Sequence, residues 1–206
     1  VQLVTNVPQW AKLYSKASGT GEKQLTREQY LALTDAYYRE IGSRYSGKVR
    51  IWLVIGEADV QAFDKFADNT IKDSPLTTEY LSQLNAVYAQ ARTTIKNVDP
   101  NGLITTTSGG WPYNSALRDR WNTYFDSVGT HFDIISVDIY PDSNVSEIQQ
   151  ISTNISQLKA RYGKPVIMAE TGLCTSGTGW TATDQATYIP QTLAQARDGG
   201  ADSMLL

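Results

Sequence analysis

Two glutamates in this chain close apolar runs. Glu57 ends VRIWLVIGE (residues 49–57) and Glu170 ends KPVIMAE (164–170). Each run reads as a buried strand that meets a carboxylate at its end, and a charge at the edge of a core is costly unless it is paired or used. A third apolar run, FDIISVDIYPD (132–142), ends with Asp138 and Tyr140. Paired carboxylates suit the cleavage of an acetal. One protonates the leaving oxygen while the other meets the anomeric carbon. The chain also has 5 tryptophans and 12 tyrosines, a large supply of flat faces against which a sugar ring could stack.

Something must bring these groups together, and the pattern supplies it as alternating strands and helices. VQLVTNV (1–7) reads as a strand, with Asn6 at its end and Trp10 just beyond. A helix is expected over 26–45, where Tyr30, Leu33, Tyr37, Ile41 and Tyr45 recur at spacings of three and four. A strand follows at 49–55. Leu81, Leu84, Tyr88, Ala91 and Ile95 mark a helix that stops at 99–102, and 103–107 is a strand. Leu117, Trp121, Tyr124 and Val128 mark the next helix, and 132–140 the next strand. Ile148, Ile151, Ile155, Leu158 and Tyr162 mark a regular helix before the strand at 165–169. A last helix covers 183–198, with Pro190 starting or kinking it, and 201–206 is a final strand.

Six strands joined by five helices imply a parallel sheet of right-handed βαβ units. The sheet could be open and doubly wound, or part of a (β/α)8 barrel, which typically takes about 250 residues. No glycine-rich phosphate loop follows any strand, as an open sheet would commonly carry. The barrel also explains the polar residues, because its chemistry sits at the C-terminal strand ends. Asn6 and Trp10, then Glu57, then Trp111, then Asp138 and Tyr140, then Glu170 and Trp180 fall at successive ends. The expected fold is a partial TIM barrel of about six βα units, one domain over 1–206.

Composition narrows the chemistry. The net charge is −3 with no basic run, which argues against nucleic acid. No apolar stretch is long enough to span a membrane, and there is no charged-then-apolar leader. His131 and Cys174 are the only residues of their kinds. Histidine-based nucleophilic chemistry and a zinc site are therefore disfavoured, and no metal or cofactor is expected. His131 precedes its strand, which places it at the opposite, stability face of the barrel.

The four segments VTNVPQWA (4–11), RYSGKVRIWLVIGEADV (44–60), FDIISVDIYPD (132–142) and GKPVIMAETG (163–172) resemble, in order and spacing, the third, fourth, sixth and seventh strands of glycoside hydrolase clan A. The resemblance implies a retaining β-glycosidase acting on a poly- or oligosaccharide. It places Glu57 at the acid/base, Glu170 at the nucleophile and Tyr140 at the tyrosine beside the nucleophile. Trp111, Trp180, Trp10, Asn6 and Asp138 are the candidate substrate-binding residues. The chain is expected to begin at the third strand and end in the eighth, as part of a longer protein. Extracellular or cell-wall location is expected from the substrate class.

One departure keeps a second function open. The clan usually has asparagine before the acid/base, where it binds the sugar 2-hydroxyl, and this chain has Gly56. Loss of a hydrogen bond that strengthens in the transition state would fit a barrel that binds carbohydrate with impaired catalysis. A lyase or aldolase fits less well, since Lys164 starts its strand on the wrong face to form a Schiff base.

Overall fold

The computed structural model describes residues 27–61, 78–109, 115–141, 145–176 and 179–205. The strand expected at 1–7, with Asn6 and Trp10, lies outside them, as does Trp111. Helix α1 spans Arg27–Tyr45, β1 Ile51–Leu53, α2 Ala58–Gln61, α3 Thr78–Val98, β2 Leu103–Thr105 and β3 Thr107–Ser108. Then come α4 Ser115–Val128, β4 Ile135–Asp138, α5 Val145–Tyr162, β5 Val166–Glu170, α6 Ala182–Asp198 and β6 Ser203–Met204.

Every strand pairing is parallel and follows chain order: β1 with β2, then β3, β4, β5 and β6 in sequence. The segment expected as one strand at 103–107 is divided at Thr106, which turns its hydroxyl to the Ile55 carbonyl at 2.6 Å. The ladder nevertheless continues across the division, through Val54 N–H to Thr105 O and Glu57 N–H to Thr107 O, both 3.0 Å. A doubly wound sheet reverses its strand order at a switch point. This one never does, so it is the arc of a barrel.

The strands are short because most of each apolar run serves the core beyond its hydrogen-bonded ladder. Trp52, Ile104, Phe132, Ile135, Val137, Ile139, Val166 and Met168 are buried. Strand β4 is buried at all four positions, as expected where helices cover one side and the barrel interior the other. Helices bring Tyr38, Tyr88, Tyr124, Phe125, Ile151 and Ile155 onto the same core. The tyrosines that reach furthest inward have partners: Tyr88 and Tyr124 share a 2.7 Å hydrogen bond, and Tyr88 meets the Thr106 hydroxyl at 3.0 Å. Tyr37 and Tyr45 instead stay over 40% exposed on α1, so only part of the tyrosine stripe packs inward.

The N-terminal ends of the strands are locked by charge. Asp133 accepts from Arg92 at 2.9 Å and pairs with Lys96 at 3.0 Å, and it also caps the Ile104 N–H. Lys164 donates to the carbonyls of Gly129 and Phe132, and His131 meets Asn85 at 3.0 Å. This is the stability face, and it holds both His131 and Lys164 where the sequence put them. Helix α6 starts earlier than Pro190: Thr181 and Asp184 form a capping box, and the proline lies inside the helix.

Candidate active site

Glu57, Asp138, Tyr140 and Glu170 meet at the C-terminal ends of the strands, and three local devices hold them there. The first is at Glu57. Its φ is +49°, the left-handed region, and among the described residues no other non-glycine adopts a positive φ. Such a backbone costs a residue with a side chain roughly 1–2 kcal/mol, so it persists only where neighbours enforce it. The Glu57 N–H is shared between the Thr107 carbonyl and the Thr107 hydroxyl, each at 3.0 Å. Two residues on, the buried Asp59 carboxylate accepts from the Ser108 hydroxyl at 2.5 Å and the Gly109 N–H at 3.1 Å. The turn after β1 is thus fastened to the end of β3. Nothing in the run TTTS (105–108) marks Thr107 or Ser108 as anchors of this turn.

The second device is an irregularity between β4 and β5. Val137 pairs with Met168, but Asp138 pairs with Glu170, so Ala169 is passed over. A bulge of this kind re-aims side chains and is often found beside active sites. It makes Glu170 the direct neighbour of Asp138, and Ile139 N–H then bonds to Glu170 O at 2.8 Å.

The third is Tyr140, whose hydroxyl donates to Glu170 Oε2 at 2.9 Å. Partial burial and the Glu170 carboxylate both push the phenol pKa up, so Tyr140 remains a donor through the neutral range. Tyr140 is 46% exposed and Glu170 is exposed, which leaves the pair open to a ligand. Trp180, 39% exposed, stands in the loop between β5 and α6. That loop is fixed at Leu173, which is buried and whose carbonyl accepts from Gln185 at 2.7 Å.

Asp138 differs from the sequence expectation. It was a candidate to contact substrate, but its side chain is fully enclosed. It therefore lies behind the open surface formed by Tyr140 and Glu170. Its carboxyl pKa is pushed up to about 8, first by burial and next by the charge of Glu170, with Glu57 and Asp59 adding to the rise and Thr107 opposing it. The influence of Glu57 on both Asp138 and Tyr140 shows that its carboxyl shares this electrostatic neighbourhood. Among the described residues, no group of three His, Cys, Asp or Glu side chains is arranged to hold a metal ion, and no helix is long and apolar enough to cross a membrane. The site offers two carboxyl groups from opposite parts of the arc, a phenol aligned with one of them, and an aromatic face at the rim.

Residues 60–198 match the profile of glycosyl hydrolase family 53, a span that begins just after Glu57 and includes Asp138, Tyr140 and Glu170. No curated protein matches the chain. Among solved structures, a hyperthermophilic β-glucosidase mutant superposes over 98% of this chain and 58% of its own, with TM-score 0.70 at 14% identity. A psychrophilic family 10 endo-β-1,4-xylanase does so over 98% of this chain and 64% of its own, with TM-score 0.69 at 17% identity. A Bacteroides uniformis β-glucuronidase covers 85% of this chain with TM-score 0.65 at 14% identity, and the chain spans only 21% of its length. The likeness establishes the fold: the chain forms part of a TIM barrel.

Proposed function

This chain belongs to glycosyl hydrolase family 53, within clan A, and from that premise we propose that the protein it forms is a retaining β-glycosidase that cleaves poly- or oligosaccharide with Glu57 and Glu170. The observation that carries the proposal is the 2.9 Å hydrogen bond from Tyr140 to Glu170, made at adjoining strand ends across the bulge. A phenol that grips one carboxylate oxygen leaves the other free to attack along a fixed line.

In the first step the Glu57 carboxylic acid gives its proton to the glycosidic oxygen as the bond from that oxygen to the anomeric carbon breaks. The free Glu170 oxygen bonds to the same carbon, and the leaving alcohol departs with the Glu57 proton. With its charge used in the ester, Glu170 no longer holds the Glu57 proton in place, so Glu57 is left as the base. In the second step Glu57 takes a proton from water, the hydroxide oxygen bonds to the anomeric carbon, and Glu170 leaves as a carboxylate. Tyr140 donates to Glu170 whenever the charge is present, which orients the attack and eases the departure. The left-handed turn at Glu57, held by Thr107, would fix the acid's backbone for this role. Trp180, and Trp111, Trp10 and Asn6 outside the described residues, are proposed to bind the sugar. A polymeric substrate goes with an extracellular or cell-wall location, which we propose as well.

Replacing Glu170 by alanine in the full-length protein should abolish turnover and prevent labelling by a mechanism-based fluorosugar. Gly56, in place of the expected asparagine, favours one competing reading, a carbohydrate-binding barrel with impaired catalysis. Sugar binding without turnover in the native protein would support that reading.

A further inference from the structure

Three aspartates are buried among the described residues, and two have partners. Asp59 is tied to Ser108 and Gly109, and Asp99 accepts from Trp52 Nε1 at 2.8 Å and Gly47 N–H at 3.3 Å. Asp138 is the exception, with no hydrogen-bond partner for either carboxylate oxygen. An ionised carboxylate in that position would forfeit its hydration with nothing in return. The groups that face it make this worse. Glu170 stands beside it on β5, Glu57 and Asp59 approach from the turn after β1, and Tyr140 lies two residues ahead on its own segment. None of these is a cation, and the only opposing pull comes from the Thr107 hydroxyl on β3.

Glu170 has the opposite surroundings. It is exposed to water, and the Tyr140 hydroxyl donates to it. Two carboxyl groups on register-paired residues cannot comfortably both ionise, and here their environments decide which one does.

We propose that Asp138 is a positioning residue which, with Glu170, forms a carboxyl pair holding one proton, kept on the enclosed Asp138 so that the single negative charge rests on the exposed Glu170. The pair's catalytic use rests on Glu170 being the nucleophile: a proton kept behind the site prevents Glu170 from becoming the protonated, inert member. The same coupling makes Asp138 sensitive to the state of its neighbour. Once the Glu170 charge is removed, Asp138 gives up its proton more readily.

Infrared spectroscopy of the full-length protein with isotope-labelled aspartate carboxyls reads this directly. A protonated aspartate band should be present at neutral pH, fade with a midpoint near 8, and be missing from Asp138→Asn. In Glu170→Gln the midpoint should fall by about one pH unit, since a neighbouring charge has gone. Absence of a protonated aspartate at neutral pH, or an identical midpoint in the native protein and Glu170→Gln, overturns the proposal. Should Asp138→Asn fail to fold, the aspartate label and the Glu170→Gln comparison still decide. Turnover retained by Glu170→Gln would remove the nucleophile assignment while leaving the pair intact, so the two claims fail separately.

Discussion

Replacing Asp138 by asparagine should change how stability depends on pH, and the structure fixes both sign and window. The folded-state pKa is raised to about 8 from an ordinary 3.8. Below 3.8 both folded and unfolded chains carry the proton, and the group favours neither. Between the two values the folded chain holds a proton that the unfolded chain has released, so stability falls as pH rises. Above about 8 the full loss is in place. At about 1.4 kcal/mol per pKa unit the ceiling is about 6 kcal/mol, and relaxation or water entry around an ionising buried group would reduce it to a few. Against a total stability of about 5–15 kcal/mol that remains a large effect. Asparagine keeps the shape and removes the titration. Urea unfolding of the full-length native and variant proteins across this pH range isolates the difference. Asp35, Asp126, Asp133, Asp184 and Asp202 are lowered by their partners and contribute the opposite slope, but identically in both proteins. The variant should gain on the native protein steadily from pH 4 to 8. Parallel curves would show that Asp138 is not a buried neutral acid.

Other expectations concern the reaction and the frame that supports it. Tyr140→Phe removes a hydrogen bond to a carboxylate, worth about 1.5–3 kcal/mol when fully expressed; both groups meet solvent, so kcat/KM should fall about tenfold, at the low end, with KM little changed. Glu57→Gln should spare the first step most for aryl glycosides with good leaving groups, then stall as the glycosyl-enzyme, visible as a burst of released phenol in stopped-flow. Gly102→Ala would set its Cβ 2.5 Å from Trp52 Nε1 and 2.6 Å from Asp99 Oδ2. The melting temperature should drop by an amount equivalent to about 2 kcal/mol, with catalytic constants retained because the collision lies at the opposite end of the strands.

Much of the arc was legible because its signals are local. The helix periodicity around Ile148–Tyr162 and the apolar runs at 132–140 and 165–169 each report one element's own burial, and chain-order parallel pairing follows from βα alternation. The positions of Glu57, Tyr140 and Glu170 were legible for the same reason: each ends a run that reads as a strand. What stayed hidden depends on pairs. The break at Thr106 goes with a hydrogen bond from its hydroxyl to the Ile55 carbonyl, just beyond the end of β1 and 51 residues away in the chain. The bulge at Ala169 is a property of the register between β4 and β5, which neither sequence segment encodes alone. Asp138 was placed on the substrate side because it shares a strand with Tyr140. Its raised pKa likewise depends on groups far away in the chain, Glu170 and Thr107 among them. Asp59 has no signal in its own segment, and only its hydrogen bond from Ser108 shows that it fastens the turn after β1 to the end of β3.

The anomeric configuration of the first-formed product, followed by proton NMR during hydrolysis of a β-glycoside by the full-length protein, bears most directly on the two-glutamate mechanism. Attack by Glu170 followed by water from the same side gives the β-anomer first, with the α-anomer appearing only by mutarotation. The α-anomer as first product would mean that water attacks directly, and Glu170 would not be the nucleophile.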